Sequence, residues 1–93
     1  MVSSGRVTEP GPLTVAVAAI LKRSFHQTDV TQETLGAAVG VSQSQMSKYL
    51  RGERVLDIDQ LDAFCFALGL NIVDVVREAV RSADISRTRP RKP

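Results

Sequence analysis

The sequence predicts an all-α protein, a single compact domain of five helices. Three observations indicate this fold: apolar residues recur at helical spacing near the start of the chain, N-terminal capping signatures recur after them, and glycines follow the predicted helices. No segment shows the strict alternation of a half-buried strand. The 93 residues, 43% of them hydrophobic and 24% charged, have room for one domain with one core.

The first predicted helix spans residues 12–27. Its apolar side chains recur every four residues, at Leu13, Val17, Leu21 and Phe25, and proline is well suited to the first helical turn that Pro12 would occupy. Residues 1–11 contain serine, glycine and proline without any periodicity. We therefore expect a flexible N-terminal arm over 1–11 and a folded domain over 12–84.

Capping residues predict where the other four helices begin. The helix starts are marked by Thr31, Ser42, Asp57 and Asn71, and an acid or amide follows three residues after each of the last three. Left-handed C-terminal caps are expected at Gly40, Gly52 and Gly69. The helices predicted in this way span residues 32–39, 43–51, 58–68 and 72–84. Residues 85–93 are predicted to form a basic, flexible tail.

Charge is unevenly distributed along the chain. Residues 1–56 carry six cations against four anions, residues 57–84 two against six, and residues 85–93 four against none. This polarity favours an anionic partner on one side of the molecule, but charge alone does not distinguish nucleic acid from a membrane surface. Whether the basic tail contacts DNA or is only solvated stays open.

Two further features of the sequence bear on location. No apolar run approaches the roughly 20 residues that a membrane-spanning helix needs. The single cysteine cannot form an internal disulfide, and no secretory signal pattern opens the chain. We therefore expect a cytoplasmic protein without membrane insertion.

The link between predicted helices 2 and 3 is only about three residues long, which predicts a helix-turn-helix. On a helical wheel, the polar residues of helix 3 share one face, and Met46, Tyr49 and Leu50 lie roughly opposite. The candidate base-reading residues on the polar face are Gln43, Ser44, Ser47 and Lys48. Side chains of these types can pair with base edges in the major groove, and the face carries no acid to repel phosphate.

Another group of residues is placed to contact the DNA backbone. Gln32 is the first residue of helix 2, where free N–H groups and the helix dipole favour a phosphate oxygen. Ser42, Arg51 and Arg54 border helix 3 and are assigned to the same phosphate-binding group. Gly36, inside helix 2, predicts a close crossing by helix 3, because an interior glycine costs about 1 kcal/mol and needs a packing reason.

The residues TQETLGAAVGVSQSQMSKYLRGER, followed by LDAFCFALGL, resemble the Xre/Cro/CI-type helix-turn-helix family of phage repressor and Cro proteins. The resemblance implies a lambda-repressor-like fold and sequence-specific binding of double-stranded DNA, usually as a dimer on a palindrome. It also implies a transcriptional regulator, with repression by operator occupancy as the default. Gln32 matches the family's phosphate-binding position, and Gln43, Ser44, Ser47 and Lys48 match its base-reading positions. Leu50 and Phe66 depart from the pattern, since an acid and a polar residue are usual there.

The remaining reactive residues are more simply explained by structure than by chemistry. Cys65 shares an apolar stripe with Ile58, Leu61, Phe64 and Leu68, which predicts core packing. His26 has no second ligand nearby, and the aspartates at positions 57, 59 and 62 offset a helix dipole. We therefore expect no metal, cofactor or small-molecule substrate, and no enzyme, because no catalytic triad can be assembled.

Helix 5 is apolar over about 160° of its surface, wider than the roughly 100° needed to pack on one core. The excess predicts a homodimer, with Phe66, Val73, Val76 and Val80 as candidate interface residues. A different function also stays open. The chain could be a protein-interaction module, such as an antitoxin or a polymerase-contacting factor, that acts through helix 5 and the acidic face of helix 4.

Overall fold

A computed structural model describes residues 9–87, and within this range the chain forms five α-helices and no strand. They are α1 (Pro12–His26), α2 (Gln32–Val39), α3 (Gln43–Leu50), α4 (Ile58–Leu68) and α5 (Ile72–Arg87). The predicted five-helix, all-α fold is confirmed. None of these helices is both long and apolar enough to cross a membrane.

The helix boundaries differ from the predicted ones mainly at the C-terminal end. Helix α5 continues to Arg87, three residues beyond the predicted end at residue 84, so the prediction of a tail from residue 85 is wrong for 85–87. Once α5 is docked through its apolar face, adding residues to its end is far cheaper than starting a helix, even where no apolar stripe continues. Residues 1–8 of the predicted arm and 88–93 of the predicted tail lie outside the described residues.

Side-chain caps begin four of the helices where the sequence placed them. The side-chain oxygens of Thr31, Ser42 and Asp57 each accept a hydrogen bond from the backbone N–H three residues later, at 2.7 to 3.2 Å. Asn71 Oδ1 accepts from the N–H groups two and three residues later. The reciprocal bond of a full capping box is formed at Asp57, whose N–H donates to Gln60 Oε1 at 3.0 Å. These local bonds satisfy N–H groups that helix starts leave unpaired.

Helix α1 packs against α3, α4 and α5, and α2 packs against α3 and α4. The largest fully buried side chains are Leu21, Leu35, Met46, Phe64 and Cys65, so the predicted core position of the cysteine is confirmed. The core position predicted for Ile58 is wrong, because its side chain is 74% exposed. Ile58 is the first residue of α4, and Cα–Cβ bonds tilt toward the helix N-terminus, so its side chain is directed past the helix end.

The turn between α2 and α3 is held by backbone contacts around two glycines. The N–H groups of Gly40 and Val41 both donate to the carbonyl oxygen of Gly36, at 2.7 and 2.9 Å. Gly40 has φ +87°, which glycine adopts without strain. A Cβ atom added at Gly36 would lie 2.9 Å from the carbonyl oxygen of Val41. The close approach expected at Gly36 is therefore made by the turn, and not by helix 3 as the sequence suggested.

The contact at Gly36 predicts that Gly36→Ala destabilises the fold. Helix propensity alone would favour alanine by about 1 kcal/mol, whereas relieving a clash with backbone costs about 1–3 kcal/mol. Urea denaturation should therefore show a net loss. Ala37→Gly, at the exposed neighbouring position, measures the propensity difference by itself. A Gly36→Ala variant as stable as the parent would contradict the close approach.

Candidate nucleic-acid interface

Helix α3 is fixed to the core along one side. Met46, Tyr49 and Leu50 are all buried there, as the helical wheel predicts. Leu50 occupies the position where the resembled family often has an acid, and it packs in the core instead of forming an ion pair with α1. The opposite side of α3 is consequently held in one orientation toward solvent.

That opposite side brings together the four predicted base-reading residues. Gln43, Ser44 and Lys48 are exposed and Ser47 is half-buried. The hydroxyl of Ser44 lies 3.5 Å from that of Ser42, at the start of the helix. The arrangement presents amide, hydroxyl and ammonium groups on a single rigid face, which is what hydrogen bonding to base edges requires.

The predicted phosphate-binding residues lie around this face at helix ends and in the loop after α3. Gln32 is the first residue of α2, and Ser42 is the N-cap of α3. The Ser42 oxygen accepts from the N–H of Gln45, and its hydroxyl and that of Ser44 can each act as the donor to the other. The guanidinium carbon of Arg54 lies 5.7 Å from the centre of the Tyr49 ring, a cation–π distance that attaches the loop to α3.

Arg51, the fourth predicted phosphate-binding residue, is already bonded within the protein. Its Nε and Nη2 donate to the two carboxylate oxygens of Glu53 at 2.8 and 3.1 Å, and its Nη1 donates to Ser47 Oγ at 2.7 Å. Hydrogen bonding from Arg51, aided by its charge and that of Lys48, lowers the pKa of Glu53 below the ordinary value. The same hydrogen bonds raise the pKa of Arg51. The pair is therefore ionised at neutral pH and is lost only as the pH falls through the lowered pKa of Glu53.

The role of Glu53 was not predicted from the sequence, because the predicted helix 3 ends at residue 51. Arg51 and Glu53 are separated by Gly52, whose φ of +76° reverses the chain direction at the end of α3. The backbone N–H of Glu53 then donates to the carbonyl oxygen of Lys48 at 3.0 Å. A glycine flanked by opposite charges directly after the helix was the available signal, because such a C-terminal cap brings its two neighbours close together.

A second missed contact joins α3 to α4. Gln60 Nε2 donates to the hydroxyl of Tyr49 at 3.0 Å, and the Tyr49 ring stands edge-on to Phe64 with centroids 6.0 Å apart. Gln60 thus helps to cap α4 and also holds α3 in place. A buried tyrosine usually needs a partner for its hydroxyl, and that requirement was the signal in the sequence.

The candidate dimer-interface residues of α4 and α5 differ in how exposed they are and in which surface depressions they line. Val73 and Val80 are 58% and 41% exposed, while Val76 is half-buried and packs on the core. Val76 lines a groove of about 200 Å³ with Leu13 and Ile58, and it also borders a shallow apolar depression that includes Val73. Phe66 on α4 is 87% exposed and lines neither of these. The structure therefore brings Val73 and Val76 together but does not place Phe66 beside them.

The groups weighed as chemically reactive in the sequence lie apart from this face. Burial raises the pKa of the Cys65 thiol, which is therefore protonated at neutral pH. Among the residues that the structure describes, no group of three or more histidine, cysteine or carboxylate side chains is arranged to hold a metal ion.

A family model described as a helix-turn-helix domain matches residues 16–87 of the chain. The chain belongs to this helix-turn-helix family. The identification made from the residues is thus confirmed, and the matched range includes the α2–turn–α3 unit. A comparison with curated proteins finds no match.

Two crystal structures of the clp gene regulator ClgR from Corynebacterium glutamicum resemble this helix-turn-helix domain. One superposes with a TM-score of 0.71 at 30% sequence identity, covering 82% of this chain and 81% of that one. The other has a TM-score of 0.67 at 33% identity, covering 75% of this chain and 91% of that one. Family and neighbours together support a DNA-binding transcriptional regulator.

The cap of α3 predicts a specific loss of stability. Ser42→Ala removes the oxygen that accepts from the Gln45 N–H and should lower the free energy of unfolding by about 1 kcal/mol. Ser42→Asn, which retains a capping oxygen, should have a free energy of unfolding close to that of the parent. Thermal denaturation of the two variants measures this difference, and equal stability of both would show that the cap contributes nothing.

Proposed function

We propose that this helix-turn-helix protein is a sequence-specific regulator of transcription that inserts α3 into the major groove of double-stranded DNA and represses by occupying an operator. The observation that carries the proposal is the polar face of α3, to which the helix itself contributes no acid and which three buried side chains on the other side hold in place. The family match and the likeness to a gene regulator support it. The proposed site of action is the cytoplasm, where the genome of a bacterium or of an infecting phage is accessible.

Base readout is assigned to the four residues of the exposed face. Gln43 can pair bidentately with adenine, and Lys48 is suited to the O6 and N7 acceptors of guanine. The hydroxyls of Ser44 and Ser47 can donate to or accept from either partner of a base pair. Gln43 and Ser44 occupy the first turn of α3, the part of such a helix that meets base edges in helix-turn-helix complexes.

Backbone contacts are assigned to residues that flank this face. Gln32 lies at the N-terminus of α2, where unpaired N–H groups and the helix dipole attract an anion. Ser42 has a hydroxyl proton to donate, and Arg54 carries a full positive charge beside α3. These contacts fix the register of the protein on the duplex but carry no sequence information by themselves. Arg51 differs from them because its guanidinium is already bonded to Glu53 and Ser47.

Selection of bound duplexes from a random pool, at a stated salt concentration, tests which residues recognise bases and which only position the protein on the DNA backbone. Gln43→Ala and Ser44→Ala should each change the preferred sequence, at about 1–3 kcal/mol per lost base contact. Arg54→Ala should instead weaken binding to every sequence and reduce the slope of log affinity against log salt by about one unit.

The possible outcomes distinguish base reading by α3, DNA binding as such and a protein-interaction function. An unchanged preference and affinity in Gln43→Ala would show that α3 does not read bases at that position. No enrichment by the parent protein would overturn the DNA-binding proposal and favour a protein-interaction function. The exposed Phe66 supports that second candidate, since it lies on the same side of α4 as the acids Asp59 and Asp62. The second candidate predicts a tight protein partner, such as a toxin or a polymerase subunit.

We further propose that the protein acts as a homodimer through the apolar stripe of α5. Val73, Val76 and Val80 follow one another at helical spacing, and the groove beside Val76 extends the apolar surface to Leu13 and Ile58. A second copy presents the same surface, so a two-fold contact would cover both. Two copies would then place their α3 helices on half-sites about 34 Å apart, or a multiple of that spacing.

Sedimentation without DNA tests the dimer. The parent should reach a dimeric mass as its concentration rises, and Val73→Lys should remain monomeric because it places a charge in the apolar contact. Val15→Lys is the matched control, since Val15 is 52% exposed and lies on α1 beside Lys22 and Leu50, away from the stripe. A parent that stays monomeric at high concentration, or a dimeric Val73→Lys, would refute this interface.

A further inference from the structure

We propose that Glu53 is a specificity-determining positioning residue, which holds Arg51 on the reading face of α3 so that the guanidinium selects a guanine instead of binding a phosphate. The inference rests on the proposed DNA-binding function and deepens it, because it gives Glu53 a role and assigns Arg51 to a base instead of a phosphate. It is carried by the hydrogen bonds that join Arg51, Glu53 and Ser47.

The guanidinium of Arg51 is oriented from two sides. Glu53 takes the fork formed by Nε and Nη2, and Ser47 accepts from Nη1. A guanidinium has five N–H donors, so two remain, one on each Nη nitrogen. Two donors on neighbouring nitrogens match the O6 and N7 acceptors that guanine presents side by side in the major groove. The bonded arginine therefore keeps the number of donors that a bidentate contact with guanine needs.

The position of the guanidinium agrees with this role. Although Arg51 follows the last residue of α3, its Nη1 lies 2.7 Å from the hydroxyl of Ser47, one turn back along the helix. Ser47 is one of the four predicted readers, and on the helical wheel Arg51 falls between Ser47 and Ser44. The charged group thus lies beside Ser47 at the C-terminal end of the reading face.

The carboxylate of Glu53 makes phosphate an unfavourable partner for this arginine. A phosphate carries a full negative charge and would be repelled by a carboxylate that remains 2.8 Å from Arg51 Nε. The acceptor atoms of guanine carry only partial charges, so they can bind while Glu53 stays in place. Glu53 is also held through its backbone, since its N–H donates to the Lys48 carbonyl oxygen after the turn at Gly52.

Paired selections from a random duplex pool, with the parent and with Glu53→Gln at one salt concentration, test the inference. The motif of the parent should contain a position with a strong guanine preference. Glu53→Gln should reduce that preference at least about fivefold, because a bidentate base contact contributes discrimination of this size or more. The other positions of the motif, and the salt slope, should stay close to those of the parent. Arg51→Ala should lose the same preference, because it removes the guanidinium and both of its remaining donors.

Glu78→Gln is the matched control for charge. It removes one carboxylate from another exposed ion pair, that of Arg23 and Glu78 at 3.0 Å, on the helix farthest along the chain from α3. Its motif should equal that of the parent. Replacing the selected guanine by 7-deazaguanine, which lacks N7, should weaken DNA binding by the parent severalfold. Binding by the Glu53→Gln variant should be nearly unaffected. Thermal denaturation checks that each variant is folded under the assay conditions.

Several results would overturn the inference. A Glu53→Gln motif identical to that of the parent would show that Glu53 positions nothing. Tighter binding to all sequences, with a salt slope steeper by about one unit, would show that Arg51 is a phosphate contact that Glu53 weakens. Both results leave the proposed function intact, because the parent still enriches a motif. Failure of the parent to enrich any duplex overturns the proposed function itself, and the inference with it.

Discussion

The relation between α2 and α3 depends on one carbonyl oxygen, that of Gly36, which accepts from both Gly40 and Val41. These two bonds hold the turn against α2, and a side chain at position 36 would collide with it. An isolated helix as short as the eight residues of α3 is marginal in water. Its conformation and direction are therefore imposed by the turn, the Ser42 cap and the side chains that it buries.

The far end of α3 is fixed by a different set of bonds. Gln60 receives the N–H of Asp57 on its oxygen and donates from its nitrogen to the Tyr49 hydroxyl. One amide thus connects the start of α4 to α3, while Arg54 stacks over the same tyrosine. The intervening loop is short and is tied at both ends, so the groups that it carries are held relative to the reading face. These contacts stabilise the fold and, under the proposed function, also position the residues that recognise DNA.

The extent to which the sequence predicted the structure follows from the range of each interaction. Helix starts at residues such as Ser42 and Asp57 were predictable, because a cap is formed within four residues. The polar face of α3 was predictable from helical periodicity in the same way. The contact of Tyr49 with Gln60 spans eleven residues and depends on how α3 and α4 pack. The pairing of Arg51 with Glu53 depends on the backbone path through Gly52, which a wheel of α3 alone does not contain.

That pairing changes how the electrostatics of the interface are understood. The sequence has a net charge of only +2, and within the described residues the salt bridge to Glu53 neutralises Arg51. Non-specific affinity for DNA grows with the number of phosphates neutralised, so a single copy with few unpaired cations near α3 gains little from charge. Under the proposed function, directional hydrogen bonds to bases must then supply much of the binding energy. Because one α3 offers only a handful of such bonds, joining two copies would raise affinity by making the second contact intramolecular. The proposed dimer through α5 would thus compensate for the weak charge of the proposed reading face.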